Sequence, residues 1–127
     1  MLTLLNAAGA SWVQLDEPCL GLDLDAGARK FYTDAFAALR GEPSLLKLML
    51  TTYFGAIGDN LDLALSLGTA GLHLDLVRAP PKQLETVLAK KSPLPRLSLG
   101  LVNGRNAWRT DLTAAVAKIE TAVKASG

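Results

Sequence analysis

Apolar and polar positions largely alternate in four stretches of the chain, residues 11–18, 45–53, 71–78 and 96–105, and each stretch ends on polar residues as its apolar run stops. Period two puts successive side chains on opposite faces, the pattern of a strand. A segment of helical spacing follows each one. The chain therefore reads as βα repeated four times, an α/β fold with a parallel sheet. Four such units are half of an eight-stranded TIM-type barrel.

The helical segments carry recognisable starts and stops. Asp25 is placed to cap a helix over 26–40, in which Phe31, Ala35, Ala38 and Leu39 fall at helical spacing, with Gly41 as its stop and Pro43 preventing continuation. Asp59 or Gly58 can cap a helix over 61–67, and Pro81 suits the first position of a helix over 82–90. Thr110 is the expected cap of the last helix, over 111–124. There Leu112, Val116, Ile119 and Val123 form one stripe, as in a helix that lies on a sheet.

The strand faces divide sharply. Val13 and Leu15 alternate with Gln14 and Asp16, Leu72, Leu74 and Leu76 with His73 and Asp75, and Leu97, Leu99 and Leu101 with Ser98, Gly100 and Val102. The leucine wall should meet the helices. The other wall, with Gln14, Asp16, Lys47, Thr51, His73, Asp75 and Ser98, would then line a barrel interior. Buried carboxylates and a lysine are costly unless paired, so these groups are expected to satisfy one another, or to meet water or a ligand.

No linker or low-complexity stretch divides the 127 residues, and half of them are hydrophobic, which suffices for one core. Residues 1–127 are therefore expected to form one domain. Thirteen basic against twelve acidic side chains give a net charge of +1 without a basic run, which speaks against nucleic acid or an anionic membrane surface as partner. The start of the chain has no positive charge before its short apolar stretch, and no window reaches the ~18 apolar residues of a spanning helix. A soluble, cytoplasmic protein is expected. Cys19, the single cysteine, can form no internal disulfide and offers at most one metal ligand.

Barrel folds place their chemistry at the C-terminal ends of strands, where Asp16, Glu17, Tyr53, Asp75, Arg78, Asn103 and Arg105 all fall. Asp16 and Glu17 are neighbours on a strand and point apart, so they make a poor acid–base pair. His73 and Asp75 share a face, and the carboxylate could orient the imidazole. Zinc wants three or four ligands, so no metal is expected. Residues 100–106, with two glycines and Arg105, resemble an anion-binding turn. The candidate catalytic set is Asp16, His73, Asp75 and Arg105.

Five separated segments together carry a resemblance: Trp12-Val-Gln-Leu-Asp-Glu-Pro18, Thr52-Tyr-Phe-Gly55, Asp59-Asn60, the run from Gly71 to Ala79, and the run from Ser98 to Leu112. In this order and spacing they resemble the N-terminal domain of cobalamin-independent methionine synthase, and the likeness covers nearly the whole chain. The resemblance implies a methyltransferase of two barrels that moves a methyl group from 5-methyltetrahydropteroyl-triglutamate to homocysteine, with this chain as the second half of the first barrel. It implies that the catalytic zinc, its ligands and the homocysteine pocket belong to the other barrel, so zinc and the folate cosubstrate are features of the parent family and no cofactor is expected in this chain. By the same resemblance, Thr51-Thr52-Tyr53 stands where the second barrel has a histidine and cysteine ligand pair, Asp75 stands near its glutamate, and the basic residues for the folate tail lie mainly upstream. The opening residues resemble the end of an internal helix, as in an excised or internally started fragment.

Half a barrel leaves two unpaired parallel edges, each a template for another chain. The simplest repair is a homodimer closed to eight strands, the first strand of each copy meeting the fourth of the other. Three functions follow as expectations: a methionine-synthase fragment inactive alone and acting as an assembly module, a stand-alone dimeric barrel with a simple activity of its own, or a small-molecule binding or scaffold module.

Overall fold

Strands form where the leucine alternation is strongest: β1 (Trp12–Asp16), β2 (Lys47–Thr51), β3 (Gly71–Asp75) and β4 (Arg96–Gly100). The segments that follow the strands leave the sheet and become loops at its C-terminal rim. The computed structural model describes residues 1–41, 45–90 and 93–126. Its helices are α1 (Leu2–Ala7), α2 (Ala26–Gly41), α3 (Leu61–Ser66), α4 (Gln83–Leu88) and α5 (Leu112–Ser126). The strands pair in sequence order, β1-β2-β3-β4, and every pairing is parallel. Four consecutive βα units without a reversal of strand order make the (βα)4 half of a barrel.

The register fixes the two walls. Gln14 pairs Met49, Asp16 pairs Thr51, Thr51 pairs His73 and His73 pairs Ser98, so every side chain expected on the polar wall shares one face. Trp12, Met49 and Arg96 join them by the same parity. The opposite wall buries Leu50, Leu72 and Leu74 in one cluster with Tyr32 and Phe36 of α2, Leu61 and Ala64 of α3, and Leu84 and Val87 of α4. This apolar burial drives the fold. Curvature shows on the polar side: the Arg96 guanidinium lies 5.5 Å from the Trp12 ring centroid, although these residues sit on the two outermost strands.

Caps follow local chemistry. The Asp25 carboxylate accepts the Ala28 amide at 2.7 Å and starts α2 as expected. Asp111, rather than Thr110, starts α5, accepting the Ala114 amide at 3.0 Å. Neither Gly58 nor Asp59 caps α3 with a side chain, because residues Gly58–Asn60 form a 3-10 turn that runs straight into it. Pro81 precedes α4 by a turn rather than opening it. Pro43 lies outside the described residues.

Two expected stripes differ. In α2 the buried rings are Tyr32 and Phe36, while Phe31 is 70% exposed, because the sheet meets the helix one residue further round. In α5 the stripe of Leu112, Val116, Ile119 and Val123 is largely open, and Ala122 is the buried contact. The helix touches α4 and stands away from β4, leaving a groove of about 730 Å³ lined by Leu88, Leu97, Leu99, Leu101, Ile119 and Val123. No described element lies beyond the β4 edge to fill it.

Candidate functional site

The rim loops above β2, β3 and β4 enclose a recess of about 260 Å³ lined by Tyr53, Phe54, His73, Asp75, Arg78, Asn103 and Arg105. Each side chain arrives there for a local reason. His73 and Asp75 stand on the inward face of β3. The β2 loop turns sharply at Phe54, whose φ of 72° lies in the left-handed region, and the Arg105 guanidinium lies 4.8 Å from its ring centroid. The Asn103 side chain accepts the Arg105 amide at 3.1 Å, closing the glycine-rich turn upon itself. The anion-binding turn expected over 100–106 therefore has one of its amides already engaged.

The candidate residues do not form one constellation. The His73 ring meets the Ser98 hydroxyl, Nδ1 to Oγ 2.8 Å, and its Nε2 faces Gly100, where an added methyl would sit 2.9 Å away. The Asp75 carboxylate accepts the amides of Val77 and Arg78, each at 3.0 Å, and so holds the rim turn rather than the imidazole. Asp16 accepts the Gln14 carboxamide at 2.6 Å on the neighbouring exposed stretch of β1. Glu17 points the other way, as expected, and receives the Tyr32 hydroxyl at 2.9 Å. Burial, then this bond and the Glu17 charge, push the Tyr32 phenol above its usual range.

Burial holds the His73 pKa below its ordinary value, and the carboxylates of Asp75 and Asp16 oppose that shift only in part. The imidazole is thus neutral at physiological pH, and the fold binds fewer protons there than the unfolded chain once pH drops. Its contribution to stability is complete above the unfolded value of about 6.5 and declines as pH falls from there toward the lower folded value. Replacing His73 with glutamine should flatten that decline, visible as urea midpoints of the two proteins that converge between about pH 7 and about pH 5.5. A wild-type midpoint equally steep after the substitution would assign the acid lability elsewhere.

Among the described residues no three or more histidine, cysteine, aspartate or glutamate side chains converge as a metal cluster. Cys19 is exposed, and Thr51 and Thr52 present hydroxyls at the end of β2. Thr52 donates its hydroxyl to the His73 carbonyl at 2.8 Å, while the buried Thr51 Oγ1 has no hydrogen-bond partner among the described residues. One histidine with isolated hydroxyls and carboxylates does not fit a zinc site. No helix among the described residues is long and apolar enough to cross a membrane.

The pattern did not signal two polar side chains that frame the rim. Asn60 is 3% exposed and donates to the carbonyls of Leu20 at 2.9 Å and Leu22 at 2.7 Å. Gln83 accepts the Ile57 amide at 3.0 Å and donates to the Asp75 carbonyl at 3.3 Å, tying α4 to the end of β3. A buried amide gives no periodic signal in a sequence; both residues stood beside the expected helix starts, and Asn60 stood also in the Asp59-Asn60 segment of the resemblance.

A family model described as the N-terminal domain of cobalamin-independent synthase matches residues 1–127. A Rhodopseudomonas palustris protein named 5-methyltetrahydropteroyltriglutamate–homocysteine methyltransferase is 55% identical over 123 residues, covering 97% of this chain and 16% of its own length. Proteins of the same name from Nitrobacter winogradskyi and Caulobacter vibrioides are 54% and 50% identical, again over 97% of this chain and 16% of their own. The chain thus spans about one sixth of the curated relatives it matches, 16% of their length. With four parallel βα units in order, a polar inner wall and this similarity along its length, the chain belongs to the family of the cobalamin-independent synthase N-terminal domain.

Proposed function

We propose that this chain is a structural half of the N-terminal barrel in an enzyme that transfers a methyl group from 5-methyltetrahydropteroyltriglutamate to homocysteine, and that alone it carries out no methyl transfer. The observation that carries this reading is the open sheet. Parallel strands alternate the side to which their backbone groups point. The Glu17 amide bonds the Thr51 carbonyl and the Arg96 amide bonds the Ala70 carbonyl, so the amides of Trp12, Gln14 and Asp16 point outward from β1 and those of Leu97 and Leu99 outward from β4. Such edges are stable only when a further strand meets them or solvent keeps them.

A companion that supplies four more βα units would pair both edges, cover the α5 stripe and enclose the inner wall. A second copy satisfies the backbone at both edges by two-fold symmetry. The small recess at the rim also admits a stand-alone activity, which sets the test. Purified chain should yield no methionine from the two substrates, and by hydrogen exchange in a dilute monomer the amides of Gln14, Leu97 and Leu99 should exchange on the order of a hundredfold faster than those of Leu50 and Leu72. Turnover lost in His73→Ala would replace this reading with that of an independent enzyme. Edge amides as protected as the central ones in a monomer would show a sheet that needs no companion.

A further inference from the structure

We propose that the inner wall of this half-barrel selects a non-identical companion, a βα half whose inward side chains at the N-terminal ends of its strands carry carboxylates, and that it disfavours a second copy of itself. The inference rests on the closure reading above and adds the chemistry of the partner.

At the N-terminal ends of the strands the inward positions are Trp12 and Lys47, which pair in register, and Gly71 and Arg96, which pair one inward step further up, level with Met49. Both cations converge on one ring, the Lys47 ammonium 5.6 Å and the Arg96 guanidinium 5.5 Å from the Trp12 centroid. Neither has a carboxylate within ion-pair distance among the described residues. Met49, the register partner of Gly71, lies across it, its Cε where a methyl on that glycine would go. The floor of the half-barrel is thus aromatic and doubly positive.

Two-fold closure keeps all eight strands parallel, with the rotation axis along the barrel axis. Equivalent layers then meet. Lys47 and Arg96 would face their own copies, four cations gathered around two Trp12 rings at the N-terminal end of the closed barrel with no counter-charge. At the opposite end Asp16 and Asp75 would likewise face their copies. Asp75 is held there by two backbone amides and Asp16 by Gln14, so that end is partly compensated and the floor decides. Like charges facing each other in a desolvated interface discriminate strongly against that pairing. Carboxylates from a different half would complete ion pairs that the ring already orders.

The chain itself supplies the probe. Wild type, the double variant Lys47→Glu/Arg96→Glu and their equimolar mixture are compared by sedimentation equilibrium, each component first shown folded by circular dichroism. The mixture should associate at least ~10-fold more tightly than either protein alone, because only the mixed pair sets carboxylates against cations. Raising salt from about 50 mM to about 500 mM should weaken the mixed complex and strengthen wild-type self-association. Should the charge-reversed protein not fold, Lys47→Gln/Arg96→Gln serves instead, and its self-association should exceed that of wild type by at least ~10-fold. Wild type that dimerises as tightly as the mixture or the neutral variant would overturn the charge selection while leaving barrel closure intact. An absence of association in every protein and mixture would overturn closure, and the selection with it.

Discussion

Replacing Leu74 with alanine should lower the stability of the chain by about 3–5 kcal/mol, whereas the same change at Leu99, its register partner one strand away, should cost about 1–2 kcal/mol. Leu74 is 0% exposed on the helix-facing wall of β3. Leu99 stands on the same wall but on the edge strand, only partly buried beside the open groove under α5. The chemistry deleted is identical, so the difference isolates the cavity left in a packed site from transfer out of a half-wetted one. A domain of this size has a total stability of about 5–15 kcal/mol, so the Leu74 variant stands near the limit of folding. Urea unfolding followed by tryptophan fluorescence measures both, with the Leu74→Ala midpoint expected to fall by roughly 2 M and that of Leu99→Ala by less than half as much. Equal losses would mean that the β4 wall is as closed as the centre of the sheet, and would remove the physical basis for a companion at that edge.

That contrast also marks what can be read from the residues alone. The four strands, their order and the division of their walls were legible, because period two is imposed by backbone geometry and each strand repeats it with leucine. The parallel arrangement followed from the helices between them. Whether a stripe is covered was not legible. In α5 the spacing of Leu112, Val116, Ile119 and Val123 marks a face with an apolar preference, yet all four are largely open, since periodicity records what a helix favours and not what stands beside it. In α2 two overlapping apolar stripes compete, and the sheet selects Tyr32 and Phe36 over Phe31.

The site was less legible than the fold. Rim position identified Tyr53, Asp75, Arg78, Asn103 and Arg105 together, and these do line one recess, which His73, marked by its shared face with Asp75, also enters. Their partnerships depended on register and turn geometry. His73 meets Ser98 because β3 and β4 align those two residues, and Asp75 meets the Val77 and Arg78 amides because the chain turns directly after β3. An Asp two positions from a His on one strand is within reach of the ring, as Gln14 and Asp16 show on β1, but here the turn directly after β3 presents two amides to the Asp75 carboxylate instead.

Asn60→Asp should prove the most damaging polar substitution in the chain, and its cost should grow with pH. The Asn60 amide group donates to two carbonyls, those of Leu20 and Leu22, in the loop that carries the chain from β1 to α2. An ionised aspartate there can only accept, so it would set a buried negative charge against both oxygens at a cost of about 3–5 kcal/mol. Burial and the facing carbonyls raise the folded pKa of such a carboxyl above its unfolded value of about 3.9. The variant is therefore most stable relative to wild type below that unfolded value, where the protonated acid can still donate one bond, and it loses stability as pH rises through the folded pKa. Asn60→Leu provides the control: it removes both donors without adding charge, costs about 2–3 kcal/mol and should show no such pH dependence. Urea midpoints of the two variants at about pH 5 and about pH 7.5 should therefore separate as pH rises. Parallel midpoints across that range would mean that the β1–α2 loop opens to solvate the new charge, and that the rim of the half-barrel is held by something other than this amide.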